Sequence, residues 1–228
     1  MSYKKGTQIK IRLIECTYAA LLSRQTSDLK IRDLAEQAGC APSSVYQHFS
    51  GLDELIATAS IKFLDEYTAA YSEMMDRTDD VVESYLQGWE IFCKFAFERP
   101  DIYTYLFWDL KHFDFEEAMV KYYSLFPVTP PTSSFSIQYY LTCYSGDVVE
   151  RDFVLMRMMA SQHLVSIEDA HYVSVAVTSI ARNLLMDCIK ADAQERKEAA
   201  GRCMELVSFT LHMALDNYKY RHGSHKNE

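Results

Sequence analysis

This sequence contains no phosphate-binding glycine loop, no Gly-x-Ser-x-Gly turn and no P-loop, so the common nucleotide and acyl-transfer chemistries find no foothold in it. No apolar run is both long enough and free enough of charge to cross a bilayer, and Met1 to Lys5 is too polar for a secretory leader. A cytoplasmic protein with no membrane partner is therefore expected. The six cysteines, at positions 16, 40, 93, 143, 188 and 203, lie far apart with no Cys-x-x-Cys and no His at ligand spacing. They read as reduced thiols, not as a disulfide frame or a zinc site, and no cofactor or metal is expected. No segment alternates with period two for long, which leaves room for little or no sheet. Internal repeats and low-complexity tracts are also lacking.

What remains is helical periodicity. Apolar spacing predicts helices over 7–22 (with Ile14, Thr17, Tyr18 and Leu21 inward) and over 52–75 (with Leu55, Ile56, Ala59, Phe63 and Tyr67 inward). Asp79-Asp80 opens another through Phe97, stopped by Arg99-Pro100. Short aromatic helices follow at 102–110 and 115–125, then helices at 137–144, 148–164, 168–190 and 194–220. Three of the five prolines fall in 126–134, FPVTPPTSS, the clearest loop. The chain has room for a substantial core in one large or two modest domains. The expected division is 1–51 and 52–220, with a disordered tail at 221–228.

The stretch 31–55, IRDLAEQAGCAPSSVYQHFSGLDEL, is the most informative. Ile31, Leu34, Ala35 and Ala38 share one face of a short helix, with Arg32, Asp33, Glu36 and Gln37 opposite. Gly39 follows where a helix commonly ends in a left-handed conformation. Pro42 suits a first helical position, Val45 and Phe49 point inward, and Ser43, Ser44, Gln47 and His48 face out. Tyr46 is placed to lie along a phosphate strand. Ser50 with Asp53 predicts a capping box and a new helix start. Two helices joined by such a turn form a helix-turn-helix, whose second helix enters the DNA major groove.

Four segments, Leu34-Ala35, Ala38-Gly39, Tyr46-Gln-His-Phe49 and Asp53-Glu54-Leu55, resemble the DNA-binding domain of the TetR family of bacterial transcriptional regulators. The strong resemblance covers about the first quarter of the chain. It implies an all-α protein, with a three-helix DNA-binding domain joined by a long helix to a helical ligand-binding and dimerisation domain. It also implies a regulator, a repressor in the first instance, that binds a palindromic double-stranded operator as a homodimer. The DNA contacts would come from Lys30, Arg32, Pro42, Ser43, Ser44, Tyr46, Gln47 and His48. Four positions depart from the family pattern. Ala41 replaces the usual Ser or Thr before the recognition helix, Leu52 replaces a phosphate-contacting Lys, and Gln25 replaces a helix-ending Gly. The Thr near the start of the second helix falls at Lys30 or Ile31. A phosphate contact is lost at Leu52, with Lys30 or Arg32 available to replace it.

A net charge of −9 argues against a nucleic-acid binder until it is divided along the chain. Residues 1–60 hold 7 Lys+Arg against 6 Asp+Glu, and the remaining 16 and 26 lie beyond. The acidity belongs to the second part. Lys4, Lys5, Lys10 and Arg12 crowd the start of the first helix or an arm before it, where they can attract phosphate or form an ordinary solvated terminus.

Two stripes near the C-terminus, Val173, Val177, Ile180, Leu184 and Cys188, then Met204, Val207, Leu211 and Leu215, are candidates for a dimeric four-helix bundle or for the chain's own core. Residues 85–163 are rich in aromatic groups and Met. Trp89, Phe92, Tyr103, Phe107, Trp108, Tyr139, Met156 and Met159, with His163 or Glu90 as polar contacts, would line a pocket for an unknown small-molecule effector or simply fill a core. By the resemblance, such a ligand reorients the helix from residue 52 and loosens the grip on DNA. Two other readings stand beside this one. The first is a relative that has lost specific DNA binding and serves as a ligand sensor or scaffold. The second is a di-iron-type helical enzyme built on Glu168-x-x-His171, which lacks a second Glu-x-x-His and has only Asp109-x-x-His112 as its nearest approach.

Overall fold

The computed structural model of the chain describes residues 2–110, 114–127 and 147–223. Among them the regular structure is all helix, as the lack of period-two alternation predicts. The helices are α1 Ser2–Leu21, α2 Ile31–Gln37, α3 Pro42–Val45, α4 Leu52–Ser60, α5 Asp65–Met75, α6 Val81–Glu98, α7 Pro100–Thr104, α8 Phe115–Tyr123, α9 Val148–Ser161, α10 Ile167–Asp187 and α11 Ala193–Gly223. The expected helix at 137–144, with Tyr139, Tyr140 and Cys143, lies outside the described residues, as do His112 and most of the 126–134 loop.

Side-chain caps set four of the helix starts. The Asp80 carboxylate accepts the Val82 and Glu83 N–H groups at 2.8 and 2.9 Å, and Asp147 does the same for Val149 and Glu150. Asp114 accepts from Glu116 at 2.7 Å, and the Ser166 hydroxyl accepts from Asp169 at 3.0 Å. Each satisfies N–H groups that have no partner within the helix. Pro100 ends α6 and opens α7, because it offers no N–H and its φ suits a first turn. The helix predicted to reach residue 164 stops at Ser161. There His163 takes a φ of 59°, and the Leu164 N–H reaches back to the Met159 carbonyl at 3.0 Å. At the other end α11 continues through Gly223, so Arg221 and His222 are helical and not part of a tail.

Contacts divide the chain into two compact units, 1–66 with 105–130, and 67–104 with 131–228. The division expected at residue 52 falls inside the first unit, here termed the head. Its core is formed by Leu13, Ile14, Thr17 and Leu21 of α1, Leu34, Ala35 and Ala38, Val45 and Phe49, and Leu55, Ile56 and Ala59 of α4, all buried. Helix α8 packs on α4 and on the turn after it. The single helix expected over 52–75 tightens to a 3-10 turn at Ile61–Leu64 before α5 begins. Just upstream, the Thr58 hydroxyl donates to the Glu54 carbonyl at 2.8 Å, a back-bond that tends to bend helices.

In the second unit α6, α9, α10 and α11 pack against one another, with α7 against α10. Here the C-terminal stripes turn out differently from the dimer expectation. Val173, Val177, Val207, Leu211 and Leu215 are buried in the unit's own core, and Ile180, Leu184 and Met204 are half-buried. The open apolar face carries Tyr172, Val175 and Met186 of α10 with Leu206, Phe209, Met213 and Tyr220 of α11. Both helices are apolar on more than one side, so periodicity alone could not say which stripe faces inward.

Candidate nucleic-acid interface and ligand core

In the head, the turn between α2 and α3 forms as the sequence predicts. Gly39 has a φ of 67°, and the Cys40 N–H bonds the Ala35 carbonyl at 2.9 Å, which satisfies the end of α2. Ala41 precedes α3 without any side-chain cap. Helix α3 is one turn, extended by bonds from the His48 and Phe49 N–H groups to the Val45 carbonyl at 3.0 and 2.9 Å. With Val45 and Phe49 buried, the segment is rotated so that Pro42, Ser43, Tyr46 and Gln47 are exposed and Ser44 and His48 half-buried. Tyr46 keeps 61% of its surface in solvent. Lys30 and Arg32 are exposed at the start of α2.

Lys10 joins this edge from α1. Its ammonium lies 5.9 Å from the Phe49 ring centroid. Burial, and then the Lys10 charge, lower the His48 pKa, which favours the neutral imidazole. The backbone of Lys4 and Lys5 already belongs to α1. Leu52 is half-buried at the first turn of α4.

One contact at the start of α4 is not foreseen by local spacing. The expected box between Ser50 and Asp53 does not form, because the cap residue has no side chain to accept. The cap residue is Gly51, and Glu54 reaches back to accept the Ser50 N–H at 2.6 Å. With acids at both 53 and 54, spacing alone could not choose between them. The buried Glu54 carboxylate is also ion-paired with Lys121 of α8. The Lys121 ammonium lies 5.9 Å from the Phe49 ring, and burial together with Lys10 pushes its pKa down. Helix α8 and the turn before it hold α4 and α5 at further points. The Tyr105 hydroxyl donates to the Asp53 carbonyl at 3.1 Å. The Tyr122 and Tyr123 hydroxyls each donate to Asp65 at 3.0 Å, whose carboxyl burial nonetheless pushes up in pKa. The end of the recognition segment is thus tied directly to α8.

The predicted ligand residues are dispersed. Trp89, Phe92 and Tyr103 do come together in the second unit. Trp89 and Phe92 centroids are 5.2 Å apart, Phe92 and Tyr103 5.9 Å, all edge to face, with Tyr67 against Phe92 at 6.2 Å. Met156 and Met159 are fully buried on α9. Phe107 and Trp108 belong to the head unit, where Phe107 packs on Phe115 at 5.7 Å. His163 and Glu90 are exposed, and so cannot supply polar contacts inside an apolar core. The polar group that does reach the aromatic cluster is Asp152, which sequence patterning gave no reason to select. It accepts from the Trp89 Nε1–H at 2.8 Å and from the Tyr85 hydroxyl at 3.1 Å. Burial pushes its pKa up to about 7.

Among the described residues no three His, Cys, Asp or Glu side chains gather as metal ligands, and Glu168 and His171 are both exposed. The five described cysteines are free thiols. No described helix is long and apolar enough to cross a membrane.

No protein-family model matches the chain. A 76-residue stretch, 33% of the chain, is 33% identical to the HTH-type transcriptional repressor KstR2 of Mycobacterium tuberculosis. That stretch covers 38% of the repressor, so the match spans well under half of the curated relative's length. Among solved structures, the chain is similar to a TetR-family transcriptional regulator from Rhodococcus sp., with a TM-score of 0.54 at 15% identity over 90% of this chain and 98% of that one. It is also similar to a transcriptional regulator from Pseudomonas aeruginosa PAO1, with a TM-score of 0.52 at 15% identity over 92% and 93%. At such identities the structural likeness is one of fold. The chain has the fold of the TetR-family transcriptional regulators, and its helix-turn-helix carries the sequence pattern by which it resembles them.

Proposed function

We propose that this protein is a DNA-binding transcriptional regulator, a repressor, that reads a palindromic operator as a homodimer and releases it when a small molecule enters the second unit. The observation that carries this reading is the exposed edge from Ser43 to Gln47, held outward by the buried Val45 and Phe49. Gln47 offers the amide that can read a base edge, while Tyr46, Lys10, Lys30 and Arg32 surround it with phosphate contacts. Dimerisation would use the open face of α10 and α11. Its groove, about 720 Å³, is bordered by Tyr172, Met213 and Tyr220. The effector would enter between the rings around Trp89 and Phe92, with Asp152 as the polar anchor. Its release signal would reach the recognition segment through the α8 contacts to Glu54 and Asp53.

Selection of bound duplexes from a random pool, followed by a salt titration on the selected site, tests the proposal. Specific binding that weakens as salt rises is expected. Gln47→Ala changes sequence preference, and Tyr46→Ala weakens binding to every sequence about equally. The uncapped Ala41 and the apolar Leu52 favour a second reading, a ligand sensor without specific DNA binding. That reading is the conclusion if no duplex outcompetes random DNA.

A further inference from the structure

The second unit holds a cleft that neither the DNA edge nor the aromatic cluster uses. It lies where the C-terminal half of α6 meets the first turns of α11, and its volume is about 340 Å³. Phe97 and Ala200 supply apolar wall, and Lys94, Glu98, Arg196 and Lys197 stand around it. Three cations against one acid is a local excess of positive charge. It occurs in the part of the chain that is otherwise acidic, residues 61–228 with 16 Lys+Arg and 26 Asp+Glu.

Arg196 is the fixed element. Its Nη1 donates to the Glu98 main-chain carbonyl at 3.1 Å, which anchors the guanidinium at the end of α6. Its Nε is buried and has no hydrogen-bond partner. A buried charged donor with no acceptor is costly, so it calls for one. The start of α11 does not compete for an anion. Its Gln194 and Glu195 N–H groups are already taken by Asp192 at 2.8 and 2.9 Å. Recognition in the cleft would therefore fall to the side chains.

We propose that this cleft binds a small amphipathic carboxylate. The planar head pairs with the Arg196 guanidinium, whose fork matches a carboxylate, and Lys197 and Lys94 add charge. A short apolar tail lies on Phe97 and Ala200. The single opposing acid, Glu98, and the largely apolar wall favour a singly charged head over a phosphate. The volume lies at the small end of ligand pockets, which sets the size of the tail.

The test is calorimetric titration of the full chain with 4-phenylbutyrate and, in parallel, with its uncharged amide. Saturable binding of the acid is expected, with the amide weaker by about tenfold or more, as loss of a charge-assisted pair implies. Arg196→Gln weakens the acid by a similar factor, and Ala200→Trp abolishes binding by filling the cleft. The exposed Lys197→Gln, which cannot disturb folding, weakens it several-fold, and it decides the matter if either other variant fails to fold. Equal affinity for acid and amide, no saturable binding, or unchanged affinity in Lys197→Gln or in folded Arg196→Gln overturns the proposal.

Discussion

Replacing Lys121 with Met should destabilise the protein at pH 7 and much less at pH 5. In the native protein the Glu54 carboxylate, only 5% exposed at its side chain, is held by Lys121 and by the Ser50 N–H. Lys121→Met keeps the apolar stem and removes the charge, leaving a buried carboxylate with one hydrogen bond. Breaking a fully buried pair costs about 3–5 kcal/mol. The stranded group can always escape by taking up a proton, and at pH 7 that costs an ordinary glutamate about 3.7 kcal/mol at 1.36 kcal/mol per unit above its usual value. The Ser50 N–H remains, so a loss of about 2–3 kcal/mol is expected at pH 7. At pH 5 the protonation route costs only about 1 kcal/mol, which caps the loss near that figure.

The converse change, Glu54→Gln, keeps the acceptor for Ser50 and removes the negative charge that faces Lys121. That side chain is 28% exposed and can reach water, so about 1 kcal/mol is expected. The double variant should lose less than the sum of the two, with a coupling of about 1–2 kcal/mol. It should also lack the extra pH dependence. Urea denaturation followed by helical circular dichroism at both pH values measures all four proteins. Additivity within about 0.5 kcal/mol, or a Lys121→Met deficit as large at pH 5 as at pH 7, refutes the reasoning.

Other outcomes follow from single contacts. Burial raises the folded-state pKa of Asp152 to about 7, above its unfolded value, so its contribution to stability declines as pH rises from about 4 to about 7. Because the residue keeps some exposed surface, the decline is roughly 1–3 kcal/mol, and thermal melts of Asp152→Asn across that range should lack it. An identical pH slope in the two proteins would contradict this. Gly39→Ala forces a Cβ into the left-handed turn at φ 67° and should cost about 1–2 kcal/mol in urea unfolding, whereas Gly39→Asn should cost less. Phe209→Asp combined with Met213→Asp places charge on the open face of α10 and α11. If the parent is the proposed homodimer, sedimentation should then show monomers of unchanged helix content, and persistence of a dimer would remove that face as the interface.

Several features were legible because they depend on neighbours within about one helical turn. Asp80 begins a helix where the sequence predicts one, through bonds to N–H groups two or three residues on. Gly39 ends α2 because its own φ permits it. Val45 and Phe49 turn inward because four residues return to the same side of a helix, which in turn exposes Ser43, Tyr46 and Gln47. Local sterics and hydrogen bonding decide such matters, and they are written in short stretches of sequence.

Other features waited on the tertiary structure. Val173 and Phe209 lie on equally good apolar stripes, yet Val173 enters the core and Phe209 stays open. Which stripe is buried depends on where α6 and α9 lie, not on α10 or α11 alone. Glu54 meets Lys121 across 67 positions of chain, and Asp152 meets Trp89 across 63. A charge is buried only where packing brings it a partner, and no spacing rule within one helix can foresee a partner on another. The sequence by itself determined a helical architecture with a helix-turn-helix and an outward edge from Ser43 to Gln47, since those follow from backbone geometry and period. Only the tertiary structure decided how that edge is tied to α8, which apolar face is left open, and which carboxylate stands among the aromatic rings, since each depends on long-range packing.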